Sequence, residues 1–220
     1  MENVDLDSKV ESIVDEMFSF VKHDRLPVME QKRRIRFSHA KELVRGCMSR
    51  LLAVRDEELV WLPEYEAVTD WLTDNKGKGL LLYGDPGRGK TLLVRYVLPY
   101  LFTWRLHQVF KNDAHRQHYV PFGYMQIIDA FSMPSDIVAE MGNKWFVFLD
   151  DVGAEIFQEK GHRPPVFSEL VYHQERRNSL LIMSTSLGPE ELSERYGIQT
   201  LNKLIDQTFR VEFRGDSLRR

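Results

Sequence analysis

Cysteine is nearly missing from this chain: Cys47 is the single one in 220 residues. No intramolecular disulfide can therefore close, and no multi-cysteine zinc site can be assembled. Long apolar runs are missing too, since no uninterrupted stretch approaches the roughly eighteen residues that a membrane span needs. The first ten residues carry Glu2, Asp5 and Asp7 where a secretory leader has a basic segment and an apolar one. A strong charge of either sign is absent as well. The formal net charge of −3 gives no global pull toward nucleic acid, so any such contact has to come from a local basic patch. There is no internal repeat and no low-complexity tract. These absences leave a cytoplasmic globular protein, one domain with an appendage or two small domains.

The chain changes texture near residue 60. Residues 1–60 read as a helical N-terminal segment fit for partner binding, and 61–220 as the main domain. In the first part Val10, Ile13, Val14, Met17, Phe18 and Val21 recur at helix-face spacing. A second helical pattern runs over 38–54, and a short third helix over 64–73 follows Pro63. From Gly79 onward strands alternate with helices. Apolar strands are predicted at 79–83, 123–128, 145–149 and 179–184, with a last one at 209–213. Helices are predicted at 91–102, 135–141, 166–176, 190–195 and 200–205. Such alternation indicates an α/β fold with a mostly parallel sheet flanked by helices.

Chemistry enters at Gly84-Asp85-Pro86-Gly87-Arg88-Gly89-Lys90-Thr91, which matches G-x-x-x-x-G-K-[ST] at every specified position. Glycines there let successive backbone N–H groups turn inward around phosphate oxygens, and the following helix adds its positive N-terminal end. Lys90 is expected on the β- and γ-phosphates of ATP, Thr91 on Mg2+, and Leu92 completes the nucleotide-contacting stretch. The second signal is Trp145-Phe146-Val147-Phe148-Leu149-Asp150-Asp151, an apolar strand ending in paired acids. Asp150 is expected to hold Mg2+ and Asp151 to polarise the attacking water. A strand ending in Ser184-Thr185-Ser186 offers either a polar group to the γ-phosphate or a cap for the helix begun by Pro189.

Other signals have plainer readings. The basic cluster at residues 32–36 reads first as a solvated helix end, and as a phosphate contact second. Residues 111–120 form a long polar loop, a candidate contact for single-stranded DNA that reads more simply as surface. His115 and His118 lack the further ligands a metal site needs. Trp61 and Trp71 read as core.

From Gly79 to Arg219 the sequence resembles the DnaC/IstB-like AAA+ ATPases, the replicative helicase loaders and their transposition relatives. The resemblance is carried by the phosphate loop, by Asp150-Asp151-Val152-Gly153-Ala154-Glu155 and by the Glu- and Arg-rich stretch 172–177. It is carried further by Glu194-Arg195-Tyr196-Gly197 and by the ending 211–219. It implies a P-loop NTPase of AAA+ type that hydrolyses ATP with Mg2+, forms a homo-oligomer when ATP-bound, and loads or remodels a replicative helicase on single-stranded DNA. Ser186 then falls on the sensor 1 position, Lys203 on the arginine-finger position and Arg219 on a sensor 2 position. Asp151 stands where Glu is more frequent, Ser186 where Asn is, and Lys203 where Arg is. Each change alters reach or fork geometry and so implies slower hydrolysis with ATP binding kept. Two alternatives stay open: an IstB-like ATP-dependent transposition regulator on duplex DNA, and a nucleotide-dependent adaptor with negligible turnover.

Overall fold

The computed structural model describes residues 12, 34–110, 122–126, 140–141, 144–155, 166–177 and 179–219. By contacts the chain forms two units, Met1–Gln31 and Lys32–Arg220. Of the first only Ser12 is described, and it is helical. The expected helix over Val10–Val21, residues 32–33, the loop 111–120 and most of the helix expected at 135–141 lie outside the described residues.

In the second unit, residues 34–37 form a non-helical segment that the sequence placed in the N-terminal part. Ile35 and Phe37 are buried, and Asn75 fixes the segment by accepting the Ile35 N–H through Oδ1 at 3.0 Å. Helix α1 (Ala40–Ala53) then buries Ala40, Val44 and Met48, the i, i+4, i+8 stripe of an amphipathic helix. These residues pack into the same core as strand β1, so the change of texture near residue 60 is not a boundary in packing. Helix α2 (Pro63–Thr73) starts with proline at its first position, where no N–H is needed.

Strand β1 (Gly79–Gly84) leads into the phosphate loop and then into helix α3 over residues 90–110. Helix α3 is α-helical over Lys90–Leu92, a π-turn over Leu93–Val97, and α-helical again over Leu98–Phe110. The widened turn sits just before Pro99, whose ring and missing N–H disturb the ordinary i to i−4 ladder. Helix α3 therefore outlasts the predicted end at 102 by eight residues. Strands β2 (Phe122–Gln126) and β3 (Phe146–Val152) follow, then α4 (Val166–Arg177), β4 (Leu180–Thr185), α5 (Pro189–Tyr196), α6 (Ile198–Gln207) and β5 (Thr208–Phe213).

The five strands lie in the order β2-β3-β4-β1-β5, and every pair is parallel. Alternation along the strands divides the core. Leu80, Leu82, Phe146, Phe148, Ile182 and Phe213 face α1, α2 and α3, whereas Leu81, Val147, Leu149, Leu181 and Met183 face α4, α5 and α6. Both sheet faces are thus covered, which is why β1, β3 and β4 read as unbroken apolar runs. Phe102 sits at the centre of the first layer, edge-on to Phe146 and Phe148 at 5.0 and 5.4 Å between centroids. The fold is an α/β sheet of the P-loop NTPase type. Among the described residues no helix is long and apolar enough to cross a membrane.

Candidate functional site

In a parallel sheet the loops after the strands gather at one end, and here that end collects the charged residues. β4 lies between β1 and β3, so the phosphate loop and the acid pair flank the end of β4 rather than touching as neighbours. At the loop, Gly89 has φ 87°, and a Cβ there would stand 2.4 Å from the Tyr65 hydroxyl. That hydroxyl donates to the Arg88 carbonyl at 3.0 Å, so α2 braces the loop from below. Burial pushes the Tyr65 phenol up to about 12, which keeps it a donor at all ordinary pH. Sequence reading passed over Tyr65. Only its position before a loop 23 residues on could have raised it.

Lys90 is buried, and its ammonium donates to the carbonyls of Gly84 at 2.7 Å and Asp85 at 2.6 Å. Burial lowers its pKa, a pull opposed by the carboxylates of Asp85 and Asp151. The lysine thus folds back onto its own loop, where two carbonyls stand in for the oxygens of a ligand. An anion with acceptor oxygens of its own can take those carbonyls' place.

Across β4, Asp150 is 1% exposed and accepts the Ser184 hydroxyl at 2.5 Å. The same Ser184 oxygen accepts the Asp151 N–H at 3.0 Å. The pairing of β3 with β4 slips between Leu149 and Val152, and Asp151 has φ 62°. As neighbours on one strand the two acids point to different sides, Asp150 inward and Asp151 to the surface. Asp151 is solvent-accessible, but incomplete hydration raises its carboxyl above the ordinary range. Asp150 raises it further, against Lys90 and Arg219. A raised carboxyl is suited to accept a proton.

The donors that the sequence assigns to magnesium are of the chemical kind that ion takes. Thr91 offers a hydroxyl and Asp150 a carboxylate, both hard oxygen donors. Among the described residues no cluster of three or more His, Cys, Asp or Glu forms a closed protein cage. Magnesium bound at phosphates commonly takes only one or two protein ligands.

No protein-family model matches the chain, and no curated protein matches it. Solved structures do. The crystal structure of DnaI aligns with a TM-score of 0.52 and 17% identity, covering 81% of this chain and 93% of that one. The likeness is one of fold. The DnaC helicase loader aligns at 0.44 with 14% identity, over 81% of this chain and 93% of that one. DnaA of Aquifex aeolicus, solved with AMPPCP, aligns at 0.48 with 18% identity, over 72% of this chain and 49% of that one.

The remaining expected residues fall in three places. Asp85, Gly87 and Arg88 form the outer side of the loop, where the C-terminal residues lie against them. Leu218 N–H donates to the Gly87 carbonyl at 3.0 Å. Arg219 follows directly, and its charge acts on both Lys90 and Asp151. Ser186 is exposed one residue beyond β4, on the end that holds the loop and the acids. The serine that meets Asp150 is Ser184, two positions earlier. Nor does Ser186 cap α5: Gly188 is the capping residue, its N–H held by Glu191 at 2.7 Å. Lys203 stands on α6, pairs with Glu175 of α4 and lies over the Tyr172 ring at 5.1 Å, apart from the phosphate-loop group.

Two expectations about weaker signals need correction: Arg34 and Arg36 stand on a non-helical segment, not a helix end, and Trp61 is only partly core. Arg34 and Arg36 of the basic cluster both pair with Asp74, Arg34 through Nε at 2.7 Å. Trp71 is core and donates to the Lys78 carbonyl at 2.9 Å, while Trp61 is half-buried beneath Arg45. One open hollow of about 450 Å³ is lined by Leu187, Glu191, Glu194 and Arg195, none of them from the phosphate loop or the acid pair.

Proposed function

We propose that this protein binds and hydrolyses ATP with magnesium, and that it uses that cycle as an AAA+ protein to load or remodel a replicative helicase on single-stranded DNA. One observation carries the ATPase reading: the Lys90 ammonium lies on an open glycine-bent loop, with Asp150 and Asp151 across β4. Lys90 exchanges the Gly84 and Asp85 carbonyls for the β- and γ-phosphates. Thr91 and Asp150 would hold magnesium, which supplies charge neutralisation on the phosphates. Asp151 takes the proton of the attacking water as its oxygen bonds to the γ-phosphorus. The bond to the bridging oxygen breaks, leaving ADP and phosphate. Ser186, exposed past β4 at the same end of the sheet, orients that water, and Arg219 meets the developing charge. Lys203 serves a neighbouring subunit in an ATP-bound oligomer, which accounts for its distance from the loop of its own chain. Within residues 1–60, the surface left outside the core shared with β1 carries the helicase contact.

The helicase-loading part is supported by the E-R-Y-G and terminal segments of the sequence, together with the DnaI-like fold. Steady-state hydrolysis without DNA, with single strands and with duplex tests it, Lys90→Ala serving as control. Stimulation by single strands that Lys90→Ala abolishes is expected. Stimulation by duplex alone points to the transposition regulator. Equal inactivity of both proteins, with ATP still bound, means an adaptor.

A further inference from the structure

The residues that follow β5 return to the phosphate loop. Beyond β5, residues 214–219 turn back across the outer side of the phosphate loop and bond to it at successive positions. Gly215 N–H donates to Asp85 Oδ2 at 2.7 Å, Arg88 Nη1 donates to the Asp216 carbonyl at 3.1 Å, and Leu218 N–H donates to the Gly87 carbonyl at 3.0 Å. Ser217 lies where a side chain on Gly87 would have to go: a Cβ there would stand 2.0 Å from its hydroxyl oxygen.

Arg88 is the hub of this contact. Its Nε and Nη2 both donate to Glu64 Oε1, at 3.2 and 2.8 Å, while Nη1 holds the tail. The same Glu64 oxygen accepts the Arg214 N–H at 3.2 Å. Arg88 and Glu64 are about 10% exposed, so their pairing is far less screened than a surface salt bridge. The guanidinium fork thus ties the start of α2, the loop and the tail together. In all three loop–tail bonds the loop supplies a carbonyl, a carboxylate or a side-chain N–H. Among the described residues none of these tail bonds uses a loop amide; the Asp85 N–H is held instead by the Phe213 carbonyl at the end of β5, at 2.8 Å.

We infer that residues 215–219 form an intramolecular clamp which, through Arg88 and Asp85, holds the phosphate loop in its anion-accepting shape, so that nucleotide binding and the seating of the C-terminus favour one another. The inference rests on the reading of this loop as a nucleotide site. Arg88 and Glu64 are positioning residues here, acting on the phosphates through the loop backbone. Preorganisation of this kind lowers the cost of ordering a loop at the moment of binding.

The test uses fluorescent ATP and ADP analogues with the full chain, Arg219→Ala in the full chain as the control for that charge, a chain ending at Arg214, Arg88→Gln, and Arg88→Gln in the shortened chain. Shortening is expected to weaken both nucleotides by about tenfold, roughly the worth of one ordinary hydrogen bond, since only part of what the three lost tail bonds contribute reaches the nucleotide. Arg88→Gln should weaken them similarly, and the combination should fall well short of the product, since both changes break one clamp. A second readout needs no variant: ATP should slow the release of the terminal arginines by carboxypeptidase B, as reciprocity requires. That readout decides the matter should the shortened chain melt early. Unchanged or tighter binding by a well-folded shortened chain overturns the clamp while leaving the nucleotide site intact. Arginine release indifferent to ATP overturns it equally. Absence of nucleotide binding by the full chain overturns the nucleotide reading and the clamp together.

Discussion

Ser184→Ala removes one hydroxyl from the interior, and the structure says what goes with it. The Ser184 oxygen donates to the buried Asp150 carboxylate at 2.5 Å and accepts the Asp151 N–H at 3.0 Å. A hydrogen bond to a charged partner contributes about 2 kcal/mol, and an N–H left without its acceptor costs about 1 kcal/mol. The sum of about 3 kcal/mol is a large part of the roughly 5–15 kcal/mol that holds a domain folded. At about 2–4 °C per kcal/mol for a chain of this size, the melting temperature should fall by roughly 6–12 °C. On the proposed reading of Asp150 as a magnesium ligand, function should suffer separately, because that hydroxyl bonds its carboxylate. Removing a hydrogen-bond partner behind a metal ligand commonly costs about 10–100-fold in metal affinity or activity. The assay is urea unfolding alongside hydrolysis titrated with magnesium, on wild type, Ser184→Ala and Ser184→Thr. Threonine keeps the hydroxyl and should retain much of the magnesium response. Unfolding within about 0.5 kcal/mol of wild type, the scatter of an ordinary surface change, together with an unchanged magnesium titration, would refute the reasoning.

Asp151→Asn should leave ATP bound, abolish turnover and raise the melting temperature at neutral pH. The Asp151 carboxyl is raised in the folded protein, so its contribution to stability is fully present below the ordinary 3.8 and is lost as pH rises through the raised value. Asparagine escapes that loss and tolerates the left-handed backbone at this position. The gap between variant and wild type should therefore widen with pH across that window, measured by thermal melts from pH 3.5 to 8. Hydrolysis by wild type should show an ascending limb in the same window, because only the ionised carboxylate accepts a proton; a flat profile contradicts the assignment. Tyr196→Phe removes a buried hydroxyl that donates to Glu155, which in turn accepts the Gly153 N–H at 3.0 Å. Burial and then Glu155 push that phenol's pKa far up, so it stays a donor. The variant should lose about 2 kcal/mol and roughly 4–8 °C, and a melt identical to wild type would remove Tyr196 from the support of the loop after β3.

Much of this protein was legible in its residues alone because the deciding patterns are local. A complete phosphate-loop motif between an apolar strand and a helix needs eight consecutive positions. Runs such as 146–149 and 180–183 declare a doubly covered strand by lacking polar residues. The order of strands and helices, and the positions of Lys90, Thr91, Asp150 and Asp151, followed from that. Tertiary structure decided what depends on residues far apart in the chain. Insertion of β4 between β1 and β3 brought Ser184, 34 positions away, onto Asp150, while Ser186, one pleat further, stayed exposed. Ser184 and Ser186 share a side by strand alternation, so only the register with β3 and the end of β4 at Thr185 decide which of them meets the acid. The tail on the phosphate loop is the extreme case, with Gly215 and Asp85 130 positions apart and Arg214 and Glu64 150 apart. Sequence spacing carries no trace of such contacts, since they exist only after the sheet has placed β5 beside β1.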